Sequence, residues 1–363
     1  MPVPRKGRPL ITANQVTLAR LIPMPLLSWL TYKGAQEGFQ SANSYFWGAL
    51  IAGTLIGCTD WVDGILARRQ GPTVLGGLLD PIADKVFIAF AYTPFADVGF
   101  VPWWACALMF TREFFITALR SAYEQRNLAL KTSYLAKLKT WTQMQGIGVM
   151  LLFPLVGNKN FLLYLFTAAA VLPIVLMIAY WIIKRKLWRG ALLMIASNSA
   201  VLAVFLYDYL EHANIAPRAI MIYVVILTWV SGIDYIVGGW KQLCARGDFT
   251  RADGVRLLGS LTLPILLFAV LVYTKAPAWP IFTILAFELA VGGLDNVLSH
   301  HKVATQALAW GGRVLGVSLL LNGSLVLPDD ADPLTMVAAA ISVASVTTEF
   351  VRGRSYYIDA LMD

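Results

Sequence analysis

Charged side chains are scarce in this sequence. They make up 14% of the 363 residues, while 58% of the residues are hydrophobic. A soluble globular domain typically has about 25% charged residues. The composition therefore excludes an ordinary soluble domain and indicates a membrane protein with several spans.

Cysteine and histidine are also rare, with three of each. Cys58, Cys106 and Cys244 fall in or beside apolar stretches, and their spacing is not that of metal ligands. We interpret them as small buried residues. The cysteines therefore do not predict a metal site.

Long apolar runs are abundant. A membrane-spanning helix needs roughly 20 predominantly apolar residues, and the sequence contains about twelve such segments. They lie near 15–33, 44–62, 76–96, 102–122, 138–157, 161–183, 188–210, 217–242, 254–274, 278–298, 304–325 and 334–351. The pattern predicts an all-α integral membrane protein with about 12 transmembrane helices.

The positive charges orient these helices. Only four of the 29 Lys and Arg residues fall in predicted exterior loops: Lys33, Lys159, Arg218 and Lys275. Because short cytoplasmic loops carry an excess of Lys and Arg, we predict that both termini are cytoplasmic, in a membrane of the bacterial inner type. The net charge of +8 is then mostly a topology signal that also attracts anionic lipids and substrates. We expect no nucleic-acid partner.

Four aspartates lie within 25 residues at the predicted cytoplasmic ends of two apolar segments. Asp60 and Asp63 share one helix face, and Asp80 and Asp84 share a face of the next helix, which returns antiparallel after a turn at 71–72. Carboxylates near lipid are costly unless they are paired or face a wet cavity. We expect all four to converge and to need a compensating cation.

The residues beside the aspartates indicate what this site binds. Gly64 and Ala67 continue the face of Asp60 and leave a slot beside the backbone, and Arg68 at its end can meet a phosphate. Oxygen-only ligands favour Mg²⁺ or Mn²⁺, and Mg²⁺ often completes its coordination with substrate phosphates. All four aspartates are therefore candidate metal ligands in a diphosphate site.

This stretch resembles the signature of the CDP-alcohol phosphatidyltransferases, D-x2-D-G-x2-A-R followed by G-x3-D-x3-D. The spacer has seven residues, 69–75, where the family usually has eight. Every fixed position is filled, by Asp60, Asp63, Gly64, Ala67, Arg68, Gly76, Asp80 and Asp84.

The resemblance implies a six-helix, Mg²⁺-dependent membrane enzyme that displaces CMP from a CDP-linked lipid with an alcohol. In such an enzyme Asp60, Asp63 and Asp80 hold the metal and Asp84 is the general base. The nucleotide site would be lined by Asp63, Gly64, Ala67, Arg68 and Gly76.

Further stretches resemble the phosphatidylglycerophosphate synthases of that family. They are Asn14 to Arg20, Thr111 to Phe114 with Arg120, Lys137 to Gln143, and Val230 to Tyr235 with Trp240. Ala136 stands where the third of these patterns usually has glycine.

Cations in these stretches predict a pocket for an anionic acceptor. The candidate phosphate-binding residues are Arg112, Arg120, Lys137 and Lys139. They favour glycerol 3-phosphate as the acceptor and CDP-diacylglycerol as the donor, with phosphatidylglycerophosphate and CMP as products. Phosphatidylglycerol, inositol or inositol phosphate as acceptor, a secondary transporter and a non-catalytic lipid-binding relative remain alternatives.

The segments outnumber the six helices of the family. We assign residues 1–246 to the catalytic unit, with an inserted hairpin at about 158–212 if the last core helix lies at 217–242. The alternative places the sixth core helix at 161–183.

Residues 247–363 form a predicted four-helix C-terminal unit that resembles a decayed copy of the first spans. In that register Asp295 corresponds to Asp63, but Gly292, Gly312 and Gly316 replace the other three aspartates. Such a copy could not hold the metal. We expect it to pack on the catalytic unit, either in a homodimer or as an intramolecular substitute for a second subunit.

Overall fold

The structure is a computed structural model. It describes residues 11–39, 44–71, 73–128, 134–212, 214–247, 249–300 and 307–357. Within these ranges the chain is helical, with no β-strand. The helices are α1 (Ala13–Leu21), α2 (Met24–Glu37), α3 (Ser44–Gln70), α4 (Val74–Asp97), α5 (Trp103–Gln125), α6 (Tyr134–Leu155), α7 (Lys159–Lys184), α8 (Arg189–Glu211), α9 (Ala216–Val230), α10 (Ile233–Arg246), α11 (Arg251–Tyr273), α12 (Ala278–His300), α13 (Ala307–Val326) and α14 (Ala331–Gly353).

Every predicted apolar segment contains one helix or a broken pair of helices, so the all-α prediction is confirmed. Seven helical stretches in the described ranges are long and apolar enough to cross a membrane: 44–70, 159–184, 190–211, 216–243, 253–273, 278–300 and 328–356. The protein is therefore a multi-pass membrane protein. Helices α4 and α5 are not among the seven, and both carry several charged residues of the site described below.

Two predicted segments are broken. The first divides into α1 and α2 at Pro23, which lacks the amide hydrogen that a continuous helix needs. The segment at 217–242 divides into α9 and α10 at Ser231 and Gly232. At each break the chain direction can change. One helix beside each break contributes to the site described below, α1 with Arg20 at the first break and α10 with Tyr235 at the second.

The helices pack in a way that separates a core from a peripheral hairpin. Helices α1 and α2 pack on α3 and α4, while α6 packs on α3 and α9. Helix α5 packs on α9, α11 and α12, and α12 also packs on α4. Helix α7 packs mainly on α8 and exposes many large apolar side chains. The C-terminal helices α11 and α12 thus contact α4 and α5, which carry part of the predicted site. The relation of the C-terminal helices to the first spans as a repeat stays a prediction.

Candidate active site

The four aspartates surround one guanidinium group. Arg20 on α1 places Nη1 2.7 Å from Asp60 Oδ1 and 3.9 Å from Asp63 Oδ2, and Nη2 3.0 Å from Asp84 Oδ1. Its Nη2 also donates to the backbone oxygen of Asp80 at 3.3 Å. We call Asp60, Asp63, Asp80 and Asp84 the aspartate cluster. One buried cation and four carboxylates lie there, so Arg20 and the aspartate cluster together carry a net charge of −3.

A threonine one turn earlier on α1 joins the two halves of the aspartate cluster. Thr17 Oγ1 lies 3.1 Å from Asp63 Oδ2 and 3.0 Å from Asp80 Oδ1. Thr12 and Gln15 form a reciprocal capping box that determines where helix α1 begins. Thr17 and Arg20, three residues apart, therefore lie on the face of α1 that meets α3 and α4.

Exposure differs among the aspartates. The side chain of Asp63 is 4% exposed, whereas those of Asp60 and Asp84 are 52% and 37% exposed. A ligand can thus reach Asp60 and Asp84 directly, while Asp63 supports the cluster from inside.

Part of the predicted nucleotide site lines a cavity between α1 and the turn that joins α3 to α4. The cavity has a volume of about 520 Å³, and Ala67, Gly76 and Asp80 are among its lining residues. A methyl group on Gly76 would lie 3.0 Å from Asn14 Oδ1 and from Thr73 Oγ1, so glycine permits this close packing. Gly64 and the exposed Arg68 lie nearby on α3 but do not line this cavity.

Three of the four predicted acceptor residues, Arg112, Arg120 and Lys139, line a second cavity, of about 220 Å³, between α4, α5 and α6. We call it the cation cavity. Four cations and two carboxylates line it, for a net charge of +2: Lys85, Arg112, Arg120, Lys139, Asp84 and Glu113. The side chain of Lys137 lies outside the described residues.

Hydrogen bonds and ion pairs hold three of these cations in place. Lys139 Nζ lies 2.6 Å from Glu113 Oε1, and Arg112 Nη1 lies 3.5 Å from the same oxygen. Arg112 Nη2 donates to Ser231 Oγ at 3.0 Å. The guanidinium of Arg120 lies 5.4 Å from the centre of the Tyr235 ring. Helices α9 and α10 thereby complete this side of the site.

A third cavity, of about 340 Å³, extends from the aspartate cluster between α3, α4 and α6. Arg20, Asp60 and Asp84 lie at its polar end, and its other walls are mostly apolar, with Leu50, Ile56, Phe87, Ile147 and Leu151 among the lining residues. We call it the apolar cavity. Asp84 lines both the apolar cavity and the cation cavity, so it stands where their contents would meet.

In the described ranges no three Asp, Glu, His or Cys side chains are arranged as ligands of a single metal ion. The donor chemistry of the aspartate cluster nevertheless fits a hard divalent cation, because it consists only of carboxylate oxygens with a net negative charge. Substrate phosphates could supply the remaining ligands.

Comparison with known proteins agrees with this geometry. A family model described as CDP-alcohol phosphatidyltransferase matches residues 10–181. A probable phosphatidylglycerophosphate synthase of Mycobacterium tuberculosis is 38% identical over 161 residues, covering 44% of this chain and 74% of the relative. The chain belongs to the CDP-alcohol phosphatidyltransferase family.

Two further relatives of this phosphatidyltransferase carry the name CDP-diacylglycerol–glycerol-3-phosphate 3-phosphatidyltransferase. The protein from Bacillus subtilis is 30% identical over 145 residues, covering 38% of this chain and 75% of the relative. The protein from Salmonella choleraesuis is 33% identical over 175 residues, covering 46% and 90%. No solved structure matches the chain. The matched family region ends in α7, so α8 to α14 lie beyond it.

The sequence placed Arg20 only at the end of the stretch from Asn14 to Arg20 and did not predict its contacts with the aspartates. Replacing it in this phosphatidyltransferase with lysine is expected to lower the free energy of unfolding by about 1.5–3 kcal/mol, because lysine keeps one charge but cannot reach several carboxylates with a planar fork. Thermal unfolding in detergent measures the effect. Arg69→Lys, at an exposed position on α3, is the matched control. Equal stability of both variants would contradict this role of Arg20.

Proposed function

We propose that this phosphatidyltransferase transfers the phosphatidyl group of CDP-diacylglycerol to glycerol 3-phosphate, giving phosphatidylglycerophosphate and CMP. The observation that carries the proposal is the position of Asp84 between the apolar cavity and the cation cavity. A lipid donor fits the first and a small phosphorylated alcohol fits the second. The names of the relatives from Bacillus subtilis and Salmonella choleraesuis describe the same reaction.

The donor would lie across two cavities. Its acyl chains suit the apolar walls at Leu50, Ile147 and Leu151, and its diphosphate would lie at the polar end beside Asp60. The cytidine would occupy the cavity beside Ala67 and Gly76. In this arrangement the phosphorus that carries the diacylglycerol lies next to Asp84.

The acceptor would enter the cation cavity. A phosphate monoester carries a charge of about −1.5 to −2 at neutral pH, which matches the net charge of +2 of the cavity lining. Arg112, Arg120 and Lys139 would hold the phosphate, with Lys137 as a further predicted contact. An uncharged polyol would leave these cations without compensation, which favours glycerol 3-phosphate over inositol or glycerol.

Asp84 would act as the general base. It accepts the proton of the acceptor hydroxyl as the hydroxyl oxygen bonds to the phosphorus, and the bond from that phosphorus to the CMP oxygen breaks. Only Oδ1 of Asp84 is hydrogen-bonded within the described chain, to Arg20 at 3.0 Å. Arg20 would thus orient the carboxylate and leave Oδ2 for the proton.

We assign the divalent cation, Mg²⁺ or Mn²⁺, to Asp60, Asp63 and Asp80, with Asp84 as a further candidate ligand. When bound, such an ion polarises the diphosphate and neutralises charge on the departing CMP. The proposal is supported by the oxygen-only donor set and by the net charge of −3 of the aspartate cluster together with Arg20, which opposes binding of an anionic diphosphate. Thr17, which contacts both carboxylates, would hold Asp63 and Asp80 close to each other.

The membrane orientation is part of the proposal. The exposed Arg68 and Arg69 lie at the end of α3 that carries the aspartate cluster, as expected for a cytoplasmic end. We therefore place the site and both termini at the cytoplasmic face of a bacterial-type inner membrane, where the protein would also contact anionic lipids.

Packing favours one of the two domain schemes. Ser231 and Tyr235 contact the acceptor residues Arg112 and Arg120, whereas α7 contacts mainly α8. This supports a last core helix at 217–242 and an inserted hairpin of α7 and α8. The family match through residue 181 includes α7, so the alternative scheme stays open.

The test uses the purified full chain with CDP-diacylglycerol, Mg²⁺ and one labelled acceptor at a time. We expect CMP release with glycerol 3-phosphate and little with glycerol, inositol, inositol phosphate or phosphatidylglycerol. CMP release with only one of the other acceptors would overturn the substrate assignment. Absence of release with every acceptor would favour a lipid-binding or transport function.

A further inference from the structure

Lys85 follows Asp84 directly on α4 and lines the cation cavity. Its Nζ donates to Thr117 Oγ1 on α5 at 2.7 Å. Among the described residues no carboxylate lies within 4.0 Å of this ammonium group, whereas Lys139 in the same cavity is paired with Glu113. A largely enclosed cation without a carboxylate partner is costly unless an anion binds to it.

The carboxylates around Lys85 are engaged by other cations. Glu113 and Asp84, which line the cation cavity with it, contact Lys139 at 2.6 Å and Arg20 at 3.0 Å. The C-terminal unit contributes two more carboxylates on the other side of Lys85, and each has its own arginine. These pairs are Asp295 with Arg256 and Glu288 with Arg313. The positive charge of Lys85 is therefore available for a ligand.

The C-terminal unit also determines where that ligand can lie. Besides the cation cavity, Lys85 and Thr117 line a separate, smaller cavity that faces α11, α12 and α13 and has a volume of about 30 Å³. That volume suits one or two water molecules at most. The cation cavity, at about 220 Å³, is the space beside Lys85 that can hold a phosphorylated alcohol.

We propose that Lys85 is a specificity-determining residue that binds the phosphate of the acceptor, and that the wall supplied by the C-terminal unit holds Lys85 and Thr117 in position for this contact. The inference rests on the proposed function, which it deepens by naming how the chain distinguishes a phosphorylated from an uncharged acceptor. It also gives helices beyond the family match an indirect part in acceptor binding, through the position of Lys85.

Steady-state kinetics of Lys85→Met test the first half of the proposal. A charge-assisted hydrogen bond contributes about 1.5–3 kcal/mol, so the KM for glycerol 3-phosphate should rise about 10- to 100-fold. The KM for CDP-diacylglycerol should not change. Lys33→Met removes one cation from α2, outside the three site cavities, and should leave both constants unchanged. A KM for glycerol 3-phosphate equal to that of the wild type would overturn the assignment.

Gly292 on α12 allows a test of the C-terminal wall. A methyl group on Gly292 would lie 3.1 Å from Thr117 Cγ2, closer than ordinary packing allows, so Gly292→Ala should displace Thr117. We expect a several-fold rise in the KM for glycerol 3-phosphate alone. Gly316→Ala on α13 meets nothing within 4 Å and is the matched control. Identical kinetics of the two variants would overturn the role of the wall.

Inorganic phosphate separates this inference from the proposed function. Its binding to the full-length wild type, Lys85→Met and Lys85→Gln is measured by calorimetry, without turnover. Weaker binding by both variants would support the phosphate contact even if glycerol 3-phosphate were not the acceptor. Equal binding by folded wild type and either variant would refute the phosphate contact even if the wild type released CMP.

Discussion

Replacing Asp84 with asparagine is expected to reduce CMP release by about 100- to 10,000-fold, the range that a positioned general base contributes. Asparagine has nearly the same shape, and its carbonyl oxygen can still accept a hydrogen bond from Arg20. It cannot take the proton of an acceptor hydroxyl. The loss should therefore appear in kcat, while the full-length variant still binds CDP-diacylglycerol in a calorimetric titration.

The matched control is Asp97→Asn, near the other end of the same helix. Asp97 accepts a hydrogen bond from Tyr32 Oη at 2.6 Å and lines none of the three site cavities. Its replacement should leave CMP release near the wild-type rate. Turnover retained by Asp84→Asn would remove Asp84 as the base. Lost binding of CDP-diacylglycerol together with lost turnover would instead indicate that Asp84 is mainly a metal ligand.

The helices could be predicted from the sequence because each needs only a local run of apolar residues. Their breaks were harder to predict. Pro23 and Gly232 lie inside apolar segments that are long enough to span a membrane, and a hydropathy pattern does not show that a helix ends there. Ser231, at the second break, accepts a hydrogen bond from Arg112, which is 119 positions away in the chain and which no local pattern can relate to it.

The aspartate cluster was predictable for a similar reason. Spacings of three and four residues place carboxylates on one helix face, and a short turn between α3 and α4 makes the two faces approach each other. The role of Arg20 was not predictable from these spacings, because it reaches Asp60 and Asp84 from a different helix, 40 and 64 positions away. Its burial among four carboxylates exists only in the folded chain.

The net charge of the cation cavity could not be predicted from the sequence either. The pattern predicted a group of cations on α5 and α6, but it did not show which of them a carboxylate neutralises. Glu113 lies next to Arg112 in the chain, yet its shortest contact is with Lys139. Lys85 attracted no prediction because one lysine at a cytoplasmic helix end is an ordinary topology signal.

Removing divalent cations is expected to abolish CMP release, and adding Mg²⁺ or Mn²⁺ should restore it. The physical reason is the charge of the aspartate cluster, where Arg20 compensates only one of four carboxylates. A diphosphate brought beside this net charge of −3 adds more negative charge, and like charges at a few ångströms repel strongly in a site of low dielectric constant. Treating the full-length protein with a chelator and assaying CMP release measures the effect.

Binding measurements with and without divalent cations test the same prediction independently of turnover. Without divalent cations, CDP-diacylglycerol should bind weakly, whereas inorganic phosphate should still bind in the cation cavity, because its net charge of +2 needs no metal. Asp80→Asn should raise the Mg²⁺ concentration that gives half-maximal activity, while the control Asp97→Asn should not. Undiminished CMP release from protein shown to be free of metal would exclude the proposed ion. Arg20, which lies among the four aspartates, would then be the cation that faces the diphosphate.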